Sequence, residues 1–104
     1  MDARVRLILD DLRSRIAAKY PIIDFRVFGS SVSGYRRVES DIDVLVCLDE
    51  LDRTIEEDLF DIAYDVELDH DCLIDLIAIS KQDITGRIGA APIYGQIMTE
   101  GLAI

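Results

Sequence analysis

The sequence predicts one small α+β (mixed α/β) domain, a small mixed sheet packed against helices. Three observations predict it. Two stretches, one near the start and one in mid-chain, repeat apolar residues at helical spacing. Three short runs rich in branched and aromatic residues alternate with them. The whole sequence, residues 1–104, has the size of a single domain built on one core.

The elements follow in order. Val5, Ile8, Leu9, Leu12 and Ile16 fall on one helical face and predict a helix over about 2–19. Pro21 ends it, because the residue before a proline is pushed out of helical backbone. Ile22 to Phe28 reads as a strand. Gly29 to Ser40 contains two Gly and four Ser and reads as a loop, with a short helical turn expected over Val32 to Val38. Asp41 to Leu48 is a second strand and Asp49 to Arg53 a turn.

Ile55, Leu59, Ile62, Ala63 and Val66 predict a second amphipathic helix. Its polar side carries Glu56, Glu57, Asp58, Asp61 and Asp65, either a solvated face or a surface for a basic partner. Cys72 to Ile79 is a third strand, almost wholly apolar apart from Asp75. Ser80 to Ala91 shows no decisive pattern. Pro92 suits the first turn of a short last helix carrying Ile93, Tyr94, Ile97 and Met98, and Gly101 stops it. Leu102 to Ile104 is either an extra strand or a contact surface.

Half of the residues are hydrophobic and 31% are charged, which excludes a disordered chain. The formal net charge of -10 argues against direct nucleic-acid binding, since phosphate contacts need Lys and Arg. The same charge suits bound divalent cations or a basic protein partner. No apolar run approaches the ~20 residues that span a bilayer. The first residues lack the apolar core of a signal peptide. Cys47 and Cys72 sit in apolar segments without metal-ligand spacing and are expected to be reduced. A cytoplasmic protein is the expectation.

Three features carry chemistry together. Gly29-Ser30 follows a strand directly, Ser40-Asp41-Ile42-Asp43 opens the next, and Asp75 lies inside an apolar strand. Strand alternation puts Asp41 and Asp43 on one face with Leu45 and Cys47, while Ile42, Val44 and Val46 face the core. Like charges so close repel unless a cation lies between them. Mg²⁺ takes oxygen ligands and commonly uses one or two carboxylates plus substrate phosphates. Asp75 is the natural third carboxylate, because an ionised group in so apolar a strand needs a partner or a metal. Asp69 and Asp71 rank below it, as residues of the turn before the strand. Gly29 lets backbone N–H groups approach a phosphate, and the Ser30 hydroxyl adds a donor. His70, the lone histidine, reads as a surface residue.

Gly29-Ser30, then ten residues, then Asp41-Ile42-Asp43 resembles the signature of the DNA polymerase beta-like nucleotidyltransferase superfamily. The fuller stretch from Phe28-Gly29-Ser30-Ser31-Val32-Ser33-Gly34 to Ser40-Asp41-Ile42-Asp43-Val44-Leu45-Val46 is similar to its minimal members. These are the MNT domains, often found beside HEPN-domain partners in toxin–antitoxin pairs. The similarity extends through Ile74-Asp75-Leu76-Ile77 to the Tyr94–Gly101 segment. It implies a nucleotidyltransferase fold and an NTP, with ATP the expected substrate, held with two Mg²⁺ ions. Asp41, Asp43 and Asp75 would be the catalytic metal ligands, with Asp75 helping to activate the attacking hydroxyl. Gly29, Ser30 and Ser40 would hold the nucleotide. Many minimal members carry a small residue and then Arg where this chain has Val32 and Ser33. Arg36 or Arg37 would supply that charge, unless both are solvated loop residues.

The resemblance implies transfer of AMP to a hydroxyl of a partner protein, with a HEPN-type toxin as partner and this chain as its antitoxin. The alternative is a catalytically weak binding module that neutralises its partner by stoichiometric contact. A nucleotide or metal sensor is a third reading. A homo-oligomer is compatible with each.

Overall fold

A computed structural model describes residues 2–29 and 41–104. Helix α1 (Ala3–Ala17) is capped by Asp2, whose carboxylate accepts from the Arg4 N–H at 2.8 Å. Strands β1 (Ile22–Phe28) and β2 (Ile42–Leu48) follow, then helix α2 (Arg53–His70). Strand β3 (Ile74–Ser80) leads into two single-turn helices, α3 (Lys81–Ile84) and α4 (Arg87–Ala90). Helix α5 (Pro92–Glu100) and strand β4 (Leu102–Ala103) complete the described elements. Among the described residues, no helix is long and apolar enough to cross a membrane.

The sheet runs β3-β2-β1-β4. β1 pairs antiparallel with both β2 and β4, and β2 pairs parallel with β3, so the sheet is mixed as expected. The tail is a strand, with Ala103 opposite Arg26 and Leu102 opposite Val27. Gly101 makes that return possible. A Cβ there would lie 2.3 Å from the Ile97 carbonyl oxygen and 3.2 Å from that of Val27, so only Gly lets α5 end against β1.

Two boundaries differ from the sequence reading. The second helix runs on to His70 and closes at Asp71, which takes a left-handed backbone at φ 50°. The third strand therefore begins at Ile74 rather than Cys72, and Asp69 belongs to the helix rather than to a turn. The segment after β3 is also ordered. The Ser80 hydroxyl accepts from the Asp83 N–H while the Asp83 carboxylate accepts from the Ser80 N–H, a reciprocal cap that starts α3.

One face of the sheet holds the main core. Leu9, Leu12 and Ile16 of α1 and Leu59 and Val66 of α2 are buried against Phe25, Val27, Ile42, Val44 and Val46. Polar contacts tie the two helices at their rim. Arg15 bonds Asp11 at 2.9 Å and Asp69 at 2.6 Å, and Lys19 meets Asp58 at 2.9 Å. The other face carries a smaller cluster of Leu45, Cys47, Ile79 and Ile97, under α5.

Candidate active site

β2 is the element that positions the site. Its even-numbered residues, Ile42, Val44, Val46 and Leu48, are buried in the main core. Its odd-numbered residues, Asp43, Leu45 and Cys47, therefore face the other way, and Leu45 and Cys47 are buried there. Parallel register sets Asp43 directly beside Asp75 of β3. Antiparallel register sets Phe28, the last residue of β1, beside Asp43 on the other side. Three adjacent strand positions thus bring Gly29, Asp43 and Asp75 to one end of the sheet.

The electrostatics follow from that register. Asp43 is half-buried, and Asp41 and Asp75 are exposed. Burial pushes the Asp43 carboxyl above the usual carboxylate range, and the charges of Asp75 and Asp41 and a hydrogen bond with Asp75 push it the same way. The two carboxylates are thus neighbours within hydrogen-bonding reach. Gly29 sits against them at φ 71°. A Cβ on Gly29 would fall 2.5 Å from Asp43 Oδ2, so the left-handed backbone favours glycine and any side chain there would push the Asp43 carboxylate aside.

The fates of the other sequence-predicted residues differ. Asp41 precedes β2 and reaches Asp43 through its charge. Ser30, Arg36, Arg37 and Ser40 lie outside the described residues, as does the helical turn expected over Val32 to Val38. Among the described residues, no group of three or more His, Cys, Asp and Glu side chains is arranged to hold a metal ion. The described part of the site is a carboxylate pair with a third charge nearby. His70 plays no part in it. It is the last residue of α2, and its Nε2 lies 2.7 Å from Asp11 Oδ2 in the contact between α1 and α2.

A cavity of about 230 Å³ opens beside Asp43. Phe28, Gly29 and Asp43 form its sheet side. Ile93, Gln96, Ile97 and Glu100 of α5 form the opposite wall. These four recur at i, i+3, i+4 and i+7, one helical face. The sequence pattern marks only the apolar members of that face, as packing residues. The detectable signal was the polar pair Gln96 and Glu100 in register with Ile93 and Ile97.

A sequence model of the nucleotidyltransferase domain family matches residues 9–99. No curated protein matches the sequence. Solved structures share the fold. A toxin–antitoxin crystal structure with AMP-PNP superposes with a TM-score of 0.60 at 20% identity, over 96% of this chain and 68% of that one. The toxin–antitoxin MntA-HepT gives 0.58 at 19% identity, over 94% of this chain and 69% of that one. A Sulfolobus solfataricus protein, provisionally assigned as a nucleotidyltransferase, gives 0.56 at 16% identity, over 96% and 80%.

Proposed function

The chain belongs to the nucleotidyltransferase domain family, and from that premise we propose that it transfers AMP from ATP to a hydroxyl of a partner protein, as the cytoplasmic antitoxin of a HEPN-type toxin. The observation that carries the chemistry is the carboxylate pair Asp43 and Asp75, held in contact by strand register beside Gly29.

The donor set fits Mg²⁺. Its ligands would be the hard carboxylate oxygens of Asp43 and Asp75, joined by Asp41, and the raised Asp43 pKa marks a place short of positive charge. Bound there, two Mg²⁺ ions would polarise the α-phosphate and stabilise the departing pyrophosphate. The chain's own groups do the rest. Backbone N–H groups at Gly29, with Ser30 and Ser40, hold the phosphates, and Arg36 or Arg37 supplies charge. Asp75, the more exposed of the pair, accepts the proton of the acceptor hydroxyl. The acceptor oxygen forms its bond to the α-phosphorus as the bond from that phosphorus to pyrophosphate breaks.

The partner reading has two supports. Structures sharing the fold are toxin–antitoxin complexes. On the outer face of α2, Phe60, Tyr64 and Leu68 are 45%, 59% and 63% exposed, too open for core residues. They form an i, i+4, i+8 stripe beside Glu57, Asp61 and Asp65. A partner with an apolar surface rimmed by Lys and Arg fits such a face, whereas a second copy would set acid against acid.

The test is co-expression with a HEPN-domain toxin. Wild type, ATP and Mg²⁺ should add one AMP to the partner's intact mass. Asp43→Asn should abolish the gain while keeping the fold and the pull-down, and Tyr64→Glu should lose the pull-down. A wild type that neutralises the partner with no mass gain would establish the binding module instead.

A further inference from the structure

β3 is an edge of the described sheet, capped at both ends of its outer side and open between them. The ladder to β2 fixes which groups face outwards. The Ile42 N–H donates to the Leu73 carbonyl at 2.9 Å, and Ile42 lies opposite Ile74. Parallel pairing therefore turns the backbones of Leu73, Asp75, Ile77 and Ile79 towards β2, and those of Ile74, Leu76, Ala78 and Ser80 away from it. Side chains meet the two outer N–H groups of that second set. The Ile74 N–H donates to Glu67 Oε2 at 2.8 Å, and the Ser80 N–H donates to Asp83 Oδ2 at 2.9 Å. The N–H and C=O groups of Leu76 and Ala78 have no protein partner among the described residues. Proteins block strand edges with charge, proline or a covering element. Here the blocks stop short of the stretch that directly follows Asp75.

The side chains along this edge are as specific as its backbone. Alternation puts Leu73, Asp75 and Ile77 on the face that carries the carboxylate pair. Leu73 is 59% exposed, Asp75 is exposed and Ile77 is half-buried. A strand added here would lie about 4.8 Å from β3, with its own alternate side chains on the same face. One of them would stand beside Asp75, and those two positions before and after it would stand beside Leu73 and Ile77. Residues 72–80 include no Lys or Arg, and Asp71 is exposed just before them, so a segment carrying Lys or Arg complements this edge. A second copy would bring another net charge of -10 against the first.

We propose that the acceptor segment of the partner protein docks as an added strand along β3, bonded through its main chain to Leu76 and Ala78, with its hydroxyl residue beside Asp75; this rests on the nucleotidyltransferase reading above. The segment is extended during transfer, and it carries apolar residues two positions to either side of the hydroxyl. Main-chain bonds supply affinity, and the alternate side chains decide which hydroxyl reaches Asp75. Leu73 and Ala78 position the acceptor and take no part in bond making.

Residue-resolved amide exchange of the full chain, alone and with the toxin of the co-expression test, reads the edge directly. Exchange at Leu76 and Ala78 should slow about tenfold in the complex, the value of one good hydrogen bond. Ala78→Pro removes an outward N–H from an edge, where proline is tolerated. It should raise the KM for the toxin about tenfold and leave MgATP affinity unchanged. Leu73→Ser leaves the backbone intact and removes only the exposed apolar contact. It should melt like wild type and raise the same KM several-fold, so the test stands even where the proline unfolds the chain. Unchanged exchange at both amides in the complex, with wild-type transfer by Leu73→Ser, would overturn the added strand and leave the transferase reading standing. Protection of both amides in the isolated chain that grows with concentration, together with a doubled mass in sedimentation, would also overturn it, by giving the edge to a second copy. A wild type that binds the toxin and MgATP yet transfers no AMP would remove both readings together.

Discussion

On one side of β2, Ile42, Val44, Val46 and Leu48 are sealed beneath α1 and α2 in a core of many large side chains. On the other, Leu45 and Cys47 meet a small cluster completed by Ile79 and Ile97, and Asp43 stands at its end in contact with Asp75. One seven-residue strand thus divides its alternate positions between folding and chemistry. The side that carries stability has no titratable group from β2. The side that carries the carboxylates is thinly covered, which leaves a cavity beside them.

The largest expected effect comes from breaking the stable side. Leu12 is fully buried between the helices and the sheet, so Leu12→Ala should cost about 3 kcal/mol in urea denaturation. Ile97→Ala, on the thin side, should cost less. Equal losses would mean that the two faces contribute alike, and the contrast between them would fail.

Next comes the glycine at the join. Gly29→Ala places a side chain on left-handed backbone, a conformation worth roughly 1–2 kcal/mol against an L residue. Its Cβ would also displace the Asp43 carboxylate that now lies 2.5 Å from that point. Melting temperature should fall modestly and MgATP binding should fall far more. A variant that binds MgATP as wild type does would separate Gly29 from the site.

Asp43→Asn sharpens the contrast with the opposite sign. The folded pKa of Asp43 is raised, so the ionised group disfavours the folded state at neutral pH. That penalty disappears as pH falls through the raised pKa and the group protonates. The apo variant should therefore be more stable than wild type at pH 7, by about 1 kcal/mol or less for a partly exposed group. The gap should close in acid. Thermal melts from pH 7 downwards give both readings, and a variant less stable than wild type at pH 7 would show that the pair supports the fold.

The stable side was the more legible in the sequence. Val5, Ile8, Leu9, Leu12 and Ile16 set out α1 by period alone, and each is buried. β1 runs from Ile22 to Phe28 as read, because its branched residues end at Pro21 and Gly29. Asp43 and Asp75 were legible as a pair because an ionised carboxylate in an apolar strand is costly unless a partner or a metal offsets it. The rest of the site was harder to see. Gln96 and Glu100 become neighbours of Asp43 only once Gly101 turns the chain and β4 pairs with β1, a long-range event without a local signature. The α3 segment did carry a local sign, Ser80 three residues before Asp83, a reciprocal cap with Asp in the place of the usual Glu. Asp69 was misplaced for a related reason, since the left-handed turn at Asp71 lets α2 run longer than its apolar period.

The smallest expected effect lies at the rim of the stable side. Asp11 bonds Arg15 and sits 2.7 Å from His70 Nε2, across the contact between α1 and α2. The Arg15 hydrogen bond, and then that of His70, hold the Asp11 carboxyl below the usual carboxylate range. Asp69 competes for the same Arg15, and Arg4 reaches the His70 and Asp71 carbonyls close by. A lowered folded pKa stabilises the protein above the unfolded carboxylate pKa, and that contribution is lost as pH falls through the folded value. The pair is about one-third exposed, so Asp11→Asn should cost about 1 kcal/mol or less at pH 7. The cost should shrink to nothing below the ordinary carboxylate range, where wild-type Asp11 is protonated too. The variant should bind MgATP as wild type does, because Asp11 reaches the carboxylate pair only through the core. An Asp11→Asn chain with wild-type stability and altered nucleotide affinity would mean that the rim of one face sets the charge of the other, and the division of labour along β2 would have to be abandoned.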